Sequence, residues 1–525
     1  VKIYFFILLL SVFSWLFISA TAEAQPVTPT ILHIFDGQSS GGLFGNAVSG
    51  VGDINGDGFD DVIVGEPLDD SNGAASGSVR VFSGADGSIL HNLVGDSAGD
   101  LFGQSVSGTG DVNGDGVPDF IVGAYWADNN GYNSGSARVF SGLDGSVLYV
   151  FEGDSYGDFF GFSVSSSGDV NGDGVPDFII GAYWDDNSGN YSGSARVYSG
   201  FDGSNLYTFE GDSAGDGFGV SVSGAGDVNG DGFADLIIGA WGDDSNGLNS
   251  GSARVFSGAD GSILYTLLGE SAGDAFGYSV SGTGDIDGDG FSDFIVGAYR
   301  DDNNGEDSGS ARVFSGIDGS IIIALSGDAA GDQFGNSVSG AGDVNGDGHL
   351  DFIVGAYEDD NNGIGSGSAR VFSGGDGSIL CTFSGESESD LLGRSVAAAG
   401  DVNGDGYADV IVGAVWDDNA SLNSGSACVL SLAPALFRRG DLNGDGSFDL
   451  ADPIRALMQF MGSLDNSCFD ASDANDDGQI NIADPIAMLN AIVLGGSSPP
   501  DPGPSACGPD LTPDSLNCET YTGCP

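Results

Sequence analysis

Short apolar runs punctuated by glycine and aspartate recur along most of the chain, and none of them carries the 3.6-residue period of a helix. One stretch shows the pattern in full: Phe102 to Ser107, a polar loop from Asp111 to Asp119, Phe120 to Ala124, a second polar loop, Ala137 to Ser141, Asp144-Gly145, and Val147 to Phe151. The runs are rich in Val, Ile, Phe and Tyr and bounded by turn residues, which predicts four strands. Asp-Gly between the third and fourth predicts a tight hairpin, because glycine accepts the positive φ such turns demand. The dipeptide returns at Asp86-Gly87, Asp202-Gly203, Asp260-Gly261, Asp318-Gly319 and Asp376-Gly377.

The whole unit repeats. The string Asp-x-Asn/Asp-Gly-Asp-Gly-x-x-Asp begins at Asp53, Asp111, Asp169, Asp227, Asp285, Asp343 and Asp401, each start 58 residues after the one before. Seven copies without insertion predict one supersecondary unit repeated, and a period of this length suits the four-stranded blade of a propeller. Ile31 to Phe35 matches the fourth strand of a unit, whereas the seventh unit stops after its third, Ala427 to Ser431. The expected fold class is therefore mainly β: a seven-bladed β-propeller over residues 25–433, its last blade completed by the N-terminal strand so that no edge is left open. An open solenoid is the alternative.

The repeated string also has the chemistry of a cation loop. Calcium takes six to eight oxygen ligands at about 2.3 to 2.6 Å, and such a loop offers side chains at positions 1, 3, 5 and 9 and a carbonyl at position 7. The first copy would supply Asp53, Asn55, Asp57 and Asp61 with the carbonyl of Phe59, and the second Asp111, Asn113, Asp115 and Asp119 with Val117. Asp169, Asn171, Asp173, Asp177 and Val175 follow in the third, and Asp227, Asn229, Asp231, Asp235 and Phe233 in the fourth. The fifth places Asp287 beside Asp285, Asp289, Asp293 and Phe291. The sixth and seventh give Asp343, Asn345, Asp347, Asp351 and His349, then Asp401, Asn403, Asp405, Asp409 and Tyr407. Seven structural calcium ions are expected; the alternative for any single copy is an acidic turn without an ion.

The units resemble the FG-GAP repeats of integrin α-subunit N-terminal regions. The Phe-Gly element stands at Phe44-Gly45, Phe102-Gly103, Phe160-Gly161, Phe218-Gly219, Phe276-Gly277 and Phe334-Gly335, with Leu392-Gly393 in the seventh; the Gly-Ala-Pro element is looser, as at Gly65-Glu66-Pro67. The resemblance implies a seven-bladed propeller with calcium loops, and a ligand-binding face opposite those loops. The second-to-third connections of each blade would line that face. At their start stand Trp126, Trp184, Trp241, Arg300, Glu358 and Trp416, the candidate ligand-face residues, with Tyr125, Tyr183, Tyr299 and Tyr357 just before four of them. Aromatic side chains there suit a protein or glycan ligand; packing between blades is the alternative.

After a linker at 434–439 the composition changes, and two loops 32 residues apart add a ligand at position 12. They offer Asp441, Asn443, Asp445, Ser447, Asp449 and Asp452, and then Asp473, Asn475, Asp477, Gln479, Asn481 and Asp484. Proline follows each position 12, as at the first turn of a helix, and Ile454, Leu457, Met458 and Met461 keep helical spacing. Residues 440–494 resemble a type I dockerin, which implies two more calcium ions and a cohesin-type partner. Leu450-Ala451 and Ile482-Ala483 stand where the best-known dockerins carry a Ser-Thr type of pair. A calcium-stabilised helical cap with no partner is the alternative.

Charge and composition then narrow the function. Twelve Lys plus Arg against 77 Asp plus Glu give a formal charge of −65, which excludes a nucleic-acid binder, since that needs a basic face to displace counterions. Lys2, an apolar run from Ile3 to Ala20 and Ala22-Glu23-Ala24 predict a secretory signal peptide over 1–24, with an uncleaved anchor as the alternative and no membrane insertion after cleavage. Export suits disulfides among Cys468, Cys507, Cys518 and Cys524 in a Pro- and Cys-rich tail at 495–525. Cys381 and Cys428 read as a pair or as small buried residues. Nothing brings His33, His91 and His349 together, and the periodic carboxylates are absorbed as calcium ligands. A secreted, non-enzymatic interaction or adhesion protein is expected, tethered through its dockerin-like module; a polysaccharide-degrading enzyme is the second reading.

Overall fold

The computed structural model describes residues 29–433, 442, 448, 450–460, 470–475, 480–494 and 497–500. The expected signal peptide, the linker and Cys468, Cys507, Cys518 and Cys524 lie outside them. Two compact units emerge, a propeller over Pro26–Pro434 and a second that takes in the C-terminal residues.

The propeller is made of seven four-stranded antiparallel sheets. Six are consecutive meanders, as in Ser105–Gly110, Asp119–Ala124, Ser136–Phe140 and Val147–Glu152. In the seventh sheet Thr30–Asp36 pairs with Ser426–Ser431 and supplies the missing outer strand. The innermost strands lie against one another right round the molecule, Ala47–Gly52 meeting Leu392–Gly400. This is a ring, not an open solenoid.

Burial follows position in the blade. The second and third strands are buried along their length, while the fourth alternates exposed and half-buried residues. The Phe-Gly elements hold the blades together. Phe44, Phe102, Phe160, Phe218, Phe276 and Phe334 are all fully buried, each worth about 1.5–3 kcal/mol of transfer free energy. Residues 102–104 are a turn rather than the start of a strand, which begins at Ser105. There Leu101 and Gly103 have φ of 54° and 91°, and the Phe102 amide donates to Ser76 O of the preceding blade at 3.1 Å; the fourth and seventh blades keep the same bond and run their first strands from Phe218 and Leu392. Phe44 makes the equivalent bond to Ser424 O of the seventh blade.

A second tie runs from five of the seven outer strands to the next blade's Asp-Gly hairpin. The Tyr149, Tyr207 and Tyr265 hydroxyls donate to Gly200 O, Gly258 O and Gly316 O at 2.7–3.0 Å. His33 and His91 occupy the same slot, with Nε2 at 2.6 and 2.7 Å from Gly84 O and Gly142 O. Cys381 stands there in the sixth blade, and Cys381 and Cys428 are both free thiols.

In the second unit, α1 (Ala451–Phe460) and α2 (Ala483–Leu494) pack together over Leu442, Ala456, Ala474 and Met488. Of the expected apolar face of α1, Leu457 is half-buried and Met461 lies outside the described residues. Ile454 and Met458 are exposed, because the helices meet through the smaller Ala456.

Candidate functional site

In the first loop, Asp53 Oδ1 accepts from the amides of Gly56 and Asp57 at 2.7 and 3.1 Å, and Oδ2 from Gly58 at 2.8 Å. Asn55 Oδ1 accepts from Asp57, and Asp57 Oδ1 from Phe59. Such wiring winds the chain around its own side-chain oxygens, and glycines at positive φ make the winding feasible: Gly56 at 75° and Gly58 at 94°. The position-5 carboxylate accepts from the position-7 amide in every copy, at Phe59, Val117, Val175, Phe233, Phe291, His349 and Tyr407.

The ninth position is different in kind. Asp61, Asp119, Asp177, Asp235, Asp293, Asp351 and Asp409 are fully buried. Asp235 accepts from the amides of Val228, at the start of its loop, and Gly258, in the Asp-Gly hairpin, each at 2.9 Å. In the first six blades the ninth-position residue accepts from the hairpin glycine in this way and fastens the loop to the hairpin beside it. The seventh blade has no such hairpin, and Asp409 Oδ1 is buried without a hydrogen-bond partner. Burial pushes these carboxyls up, to about 6 at Asp61, Asp177, Asp235 and Asp293 and about 7 at Asp351 and Asp409. In the fifth loop, carboxylate oxygens of Asp285, Asp287 and Asp289 come within 4.8 Å of one another. All-oxygen donors with clustered negative charge fit a hard divalent cation.

In the second unit, Asp441, Asn443, Asp445, Ser447, Asp449, Asp477 and Gln479 lie outside the described residues. Asp452 repeats the wiring of the propeller loops, accepting from the Leu442 amide at 3.0 Å. Asp484 accepts from Asn481 N at 2.7 Å. Burial first, and then the Asp473 charge, push the Asp484 carboxyl up to about 6. Asn475 Oδ1 and Asp484 Oδ1 are buried with no hydrogen bond, the condition of atoms that face a cation.

Of the ligand-face candidates, Arg300, Glu358 and Trp416 are brought together in one pocket of about 350 Å³ on the fifth, sixth and seventh blades. Trp126, Trp184 and Trp241 do not join them. Trp184 stacks on Phe159 at 4.5 Å, Trp241 covers Gly217, and Trp126 leans on Tyr125. The tyrosines pack at the blade seams, Tyr183 against Phe162 at 4.4 Å and Tyr299 against Tyr278 at 4.5 Å, and burial pushes the Tyr125 and Tyr299 hydroxyls up to about 12.

Sequence reasoning missed Tyr278, Asn336 and Arg394, which also line the pocket. They occupy the position after Phe-Gly, which in the seven repeats reads Asn46, Gln104, Phe162, Val220, Tyr278, Asn336 and Arg394. These seven residues ring a central cavity of about 260 Å³. Variation at one register position inside a constant repeat was the signal available.

A family model described as FG-GAP repeat matches residues 44–82, 102–140, 160–198, 218–256, 276–314, 334–372 and 392–426. Integrin alpha-5 of Xenopus laevis is 33% identical over 215 residues, 38% of this chain and 20% of the integrin. Integrin alpha-6 of Gallus gallus is 31% identical over 167 residues, 29% and 15% of the two chains. Integrin alpha-V of Gallus gallus is 32% identical over 213 residues, 38% and 20%. The chain thus matches a fifth or less of the length of these relatives. Among solved structures, BBS1N in complex with ARL6DN, soaked with mercury, aligns with 78% of this chain and 98% of its own at 9% identity and a TM-score of 0.46, too distant to bear on function.

Proposed function

The chain belongs to the FG-GAP repeat family, and from that premise we propose a secreted, calcium-binding interaction protein whose propeller presents a ligand face and whose C-terminal unit tethers it. The observation that carries this reading is the loop wiring repeated around the ring. Seven sets of oxygens at positions 1, 3, 5 and 9 would hold seven calcium ions. The bound ion would supply positive charge where each loop gathers carboxylates, drawing together side chains that otherwise repel by about 1 to 4 kcal/mol per pair at 4 Å. The protein's part is positioning: the ninth Asp ties loop to hairpin, so an occupied loop stiffens one end of the blade. The opposite end, built from the second-to-third connections, is left for partners.

Tethering rests on the duplicated half-sites of the second unit. Leu450 and Ile454 in one half and Ile482 and Ile486 in the other stand at equivalent positions, and all four are exposed. Two similar apolar patches suit docking on a cohesin-type partner in either of two orientations. Among the described residues, no helix is long and apolar enough to cross a membrane.

Calcium titration of the full chain by calorimetry and native mass spectrometry tests the first part, with nine ions expected, seven in the propeller and two in the second unit. Absence of specific uptake overturns it. Cohesin domains presented to the chain with and without chelator test the second, and capture that ignores calcium removes it. Turnover of a polysaccharide panel would replace the binding role with an enzymatic one; one carboxylate, Glu358, lines the pocket, where glycoside hydrolysis uses a pair.

A further inference from the structure

In a chain with a formal charge of −65, the placement of the few cations is informative. The propeller holds eight arginines. Six sit on the third strands and are engaged by carboxylates: Arg80 by Glu66, Arg138 by Asp96, Arg196 by Asp154, Arg254 by Asp212, Arg312 by Glu270 and Arg370 by Asp328. The other two, Arg300 and Arg394, come from different blades and line the same pocket. Neither guanidinium has an ion pair or side-chain hydrogen bond among the described residues. Each lies instead over a tyrosine ring, Arg300 at 5.1 Å from Tyr299 and Arg394 at 5.2 Å from Tyr357. That contact orients a guanidinium while leaving its N–H donors for a ligand.

Other groups in the pocket ask for something besides an anion. Asn336 is buried; its amide nitrogen donates to Arg394 O at 3.2 Å, but its Oδ1 has no partner. That oxygen is itself closed to solvent and lies toward Gly355 of the same blade, so Asn336 shapes the pocket wall and does not offer its acceptor to a ligand. Glu358 supplies an acceptor, and Trp416 a flat apolar wall. A ligand that fits carries an acid group for the arginines, a hydroxyl for Glu358, and a ring face for Trp416. A volume of about 350 Å³ lies in the range of small-ligand sites. Tyr278, Asn336 and Arg394 also line the central cavity, so the pocket adjoins it.

We infer that this pocket binds an acidic sugar, an oligosaccharide unit bearing a carboxylate or sulfate, with Arg300 and Arg394 holding the acid group. A polyacidic peptide is disfavoured because it offers no ring face for Trp416 and brings more negative charge against Glu358.

The inference rests on the reading of the propeller as a ligand platform, and one set of titrations separates the two. Calorimetry on the full calcium-loaded chain compares short oligogalacturonides, sulfated galacto-oligosaccharides, neutral cello-oligosaccharides and poly-glutamate. Binding of either acidic sugar, weakened about tenfold or more by Arg300→Gln and by Arg394→Gln, is the expected result, with Arg394→Lys losing less than Arg394→Gln. The variants must keep the wild-type melting temperature in calcium, which also excludes a calcium-bridged contact at the loops as the source of binding. Equal binding of the neutral sugars, preference for poly-glutamate, indifference to the arginine variants, or no binding of either acidic sugar each overturns the inference. A ligand retained elsewhere on the propeller in a glycan and protein array, unaffected by these substitutions, leaves the platform reading standing; an array with no ligand removes both.

Discussion

At the scale of a residue, the ninth-position aspartates have two functions that pull in opposite directions. As hydrogen-bond acceptors they fasten loop to hairpin, and as buried charges they cost free energy until something neutralises them. For Asp235, Asn keeps the shape and one acceptor while removing the charge. With calcium bound, Asp235→Asn loses a ligand charge and one of two backbone bonds, a cost of about 1–3 kcal/mol. With chelator, relief of the buried charge offsets the lost bond. Calorimetric melting of the variant in calcium and in EDTA should therefore show a smaller gap between the two conditions than in wild type; an equal fall in both would mean that Asp235 only holds the loop. The candidate ligands of the loops were legible in the sequence because they lie within nine residues of one another, so spacing is geometry. The pocket was only partly legible. Arg300, Glu358 and Trp416 were singled out, but Asn336 and Arg394 reach the pocket from the position after Phe-Gly on the sixth and seventh blades, and variation at that register marks the residues without showing that they converge.

At the scale of an element, six of the seven blades carry a third-strand arginine over an aromatic ring. Arg138 lies over Phe102 at 5.6 Å, Arg196 over Phe160 at 5.5 Å and Arg80 over Phe44 at 4.2 Å. The seventh repeat replaces both partners, with Leu392 at the Phe position and Cys428 at the Arg position, and burial pushes the Cys428 thiol up to about 12. The carboxylate that engages the arginine elsewhere survives there as Glu386, at the register of Asp96. The pair therefore behaves as a unit, and a double-mutant cycle measures it: Cys428→Arg with Leu392→Phe should show a favourable coupling of about 0.5–2 kcal/mol in urea denaturation, whereas additive effects would mean that the arginine is held by Glu386 alone. A second element bears on ring closure. Phe44→Ala, which empties the site joining the first blade to the seventh, should cost about 3–5 kcal/mol and speed proteolytic cutting near Thr30–Asp36; an unchanged cutting rate would place closure in that strand alone. Strand count, hairpins and the N-terminal closing strand were legible because each is a local pattern in a constant register. The start of the first strand was not: it falls at Ser105 in the second blade and at Phe218 in the fourth, although both phenylalanine amides bond to the preceding blade, so one sequence pattern has two starts.

At the scale of the whole molecule, a charge of −65 opposes the compact state through self-repulsion, and the loops concentrate that charge at one end of every blade. Removing calcium should therefore destabilise the ring cooperatively, and screening salt should restore part of the loss. Protons act on the same groups. The ninth-position carboxyls titrate higher in the folded chain than the unperturbed value of 3.8, at about 6 to 7 where the shift is large. Between those limits the folded state binds more protons than the unfolded one, so stability without metal falls as pH rises through that window and is greatest on its acid side. Calcium reverses the slope, because protons compete with the ion for the same oxygens. Each independent site at a hundredfold excess over its Kd adds about 2.7 kcal/mol, enough for the metal to dominate at neutral pH. Scanning calorimetry should find the chelated protein melting higher at pH 5 than at pH 8, and the calcium-saturated protein melting higher at pH 8 than at pH 5. Parallel slopes in the two conditions would show that the buried carboxylates and the ion do not share a site.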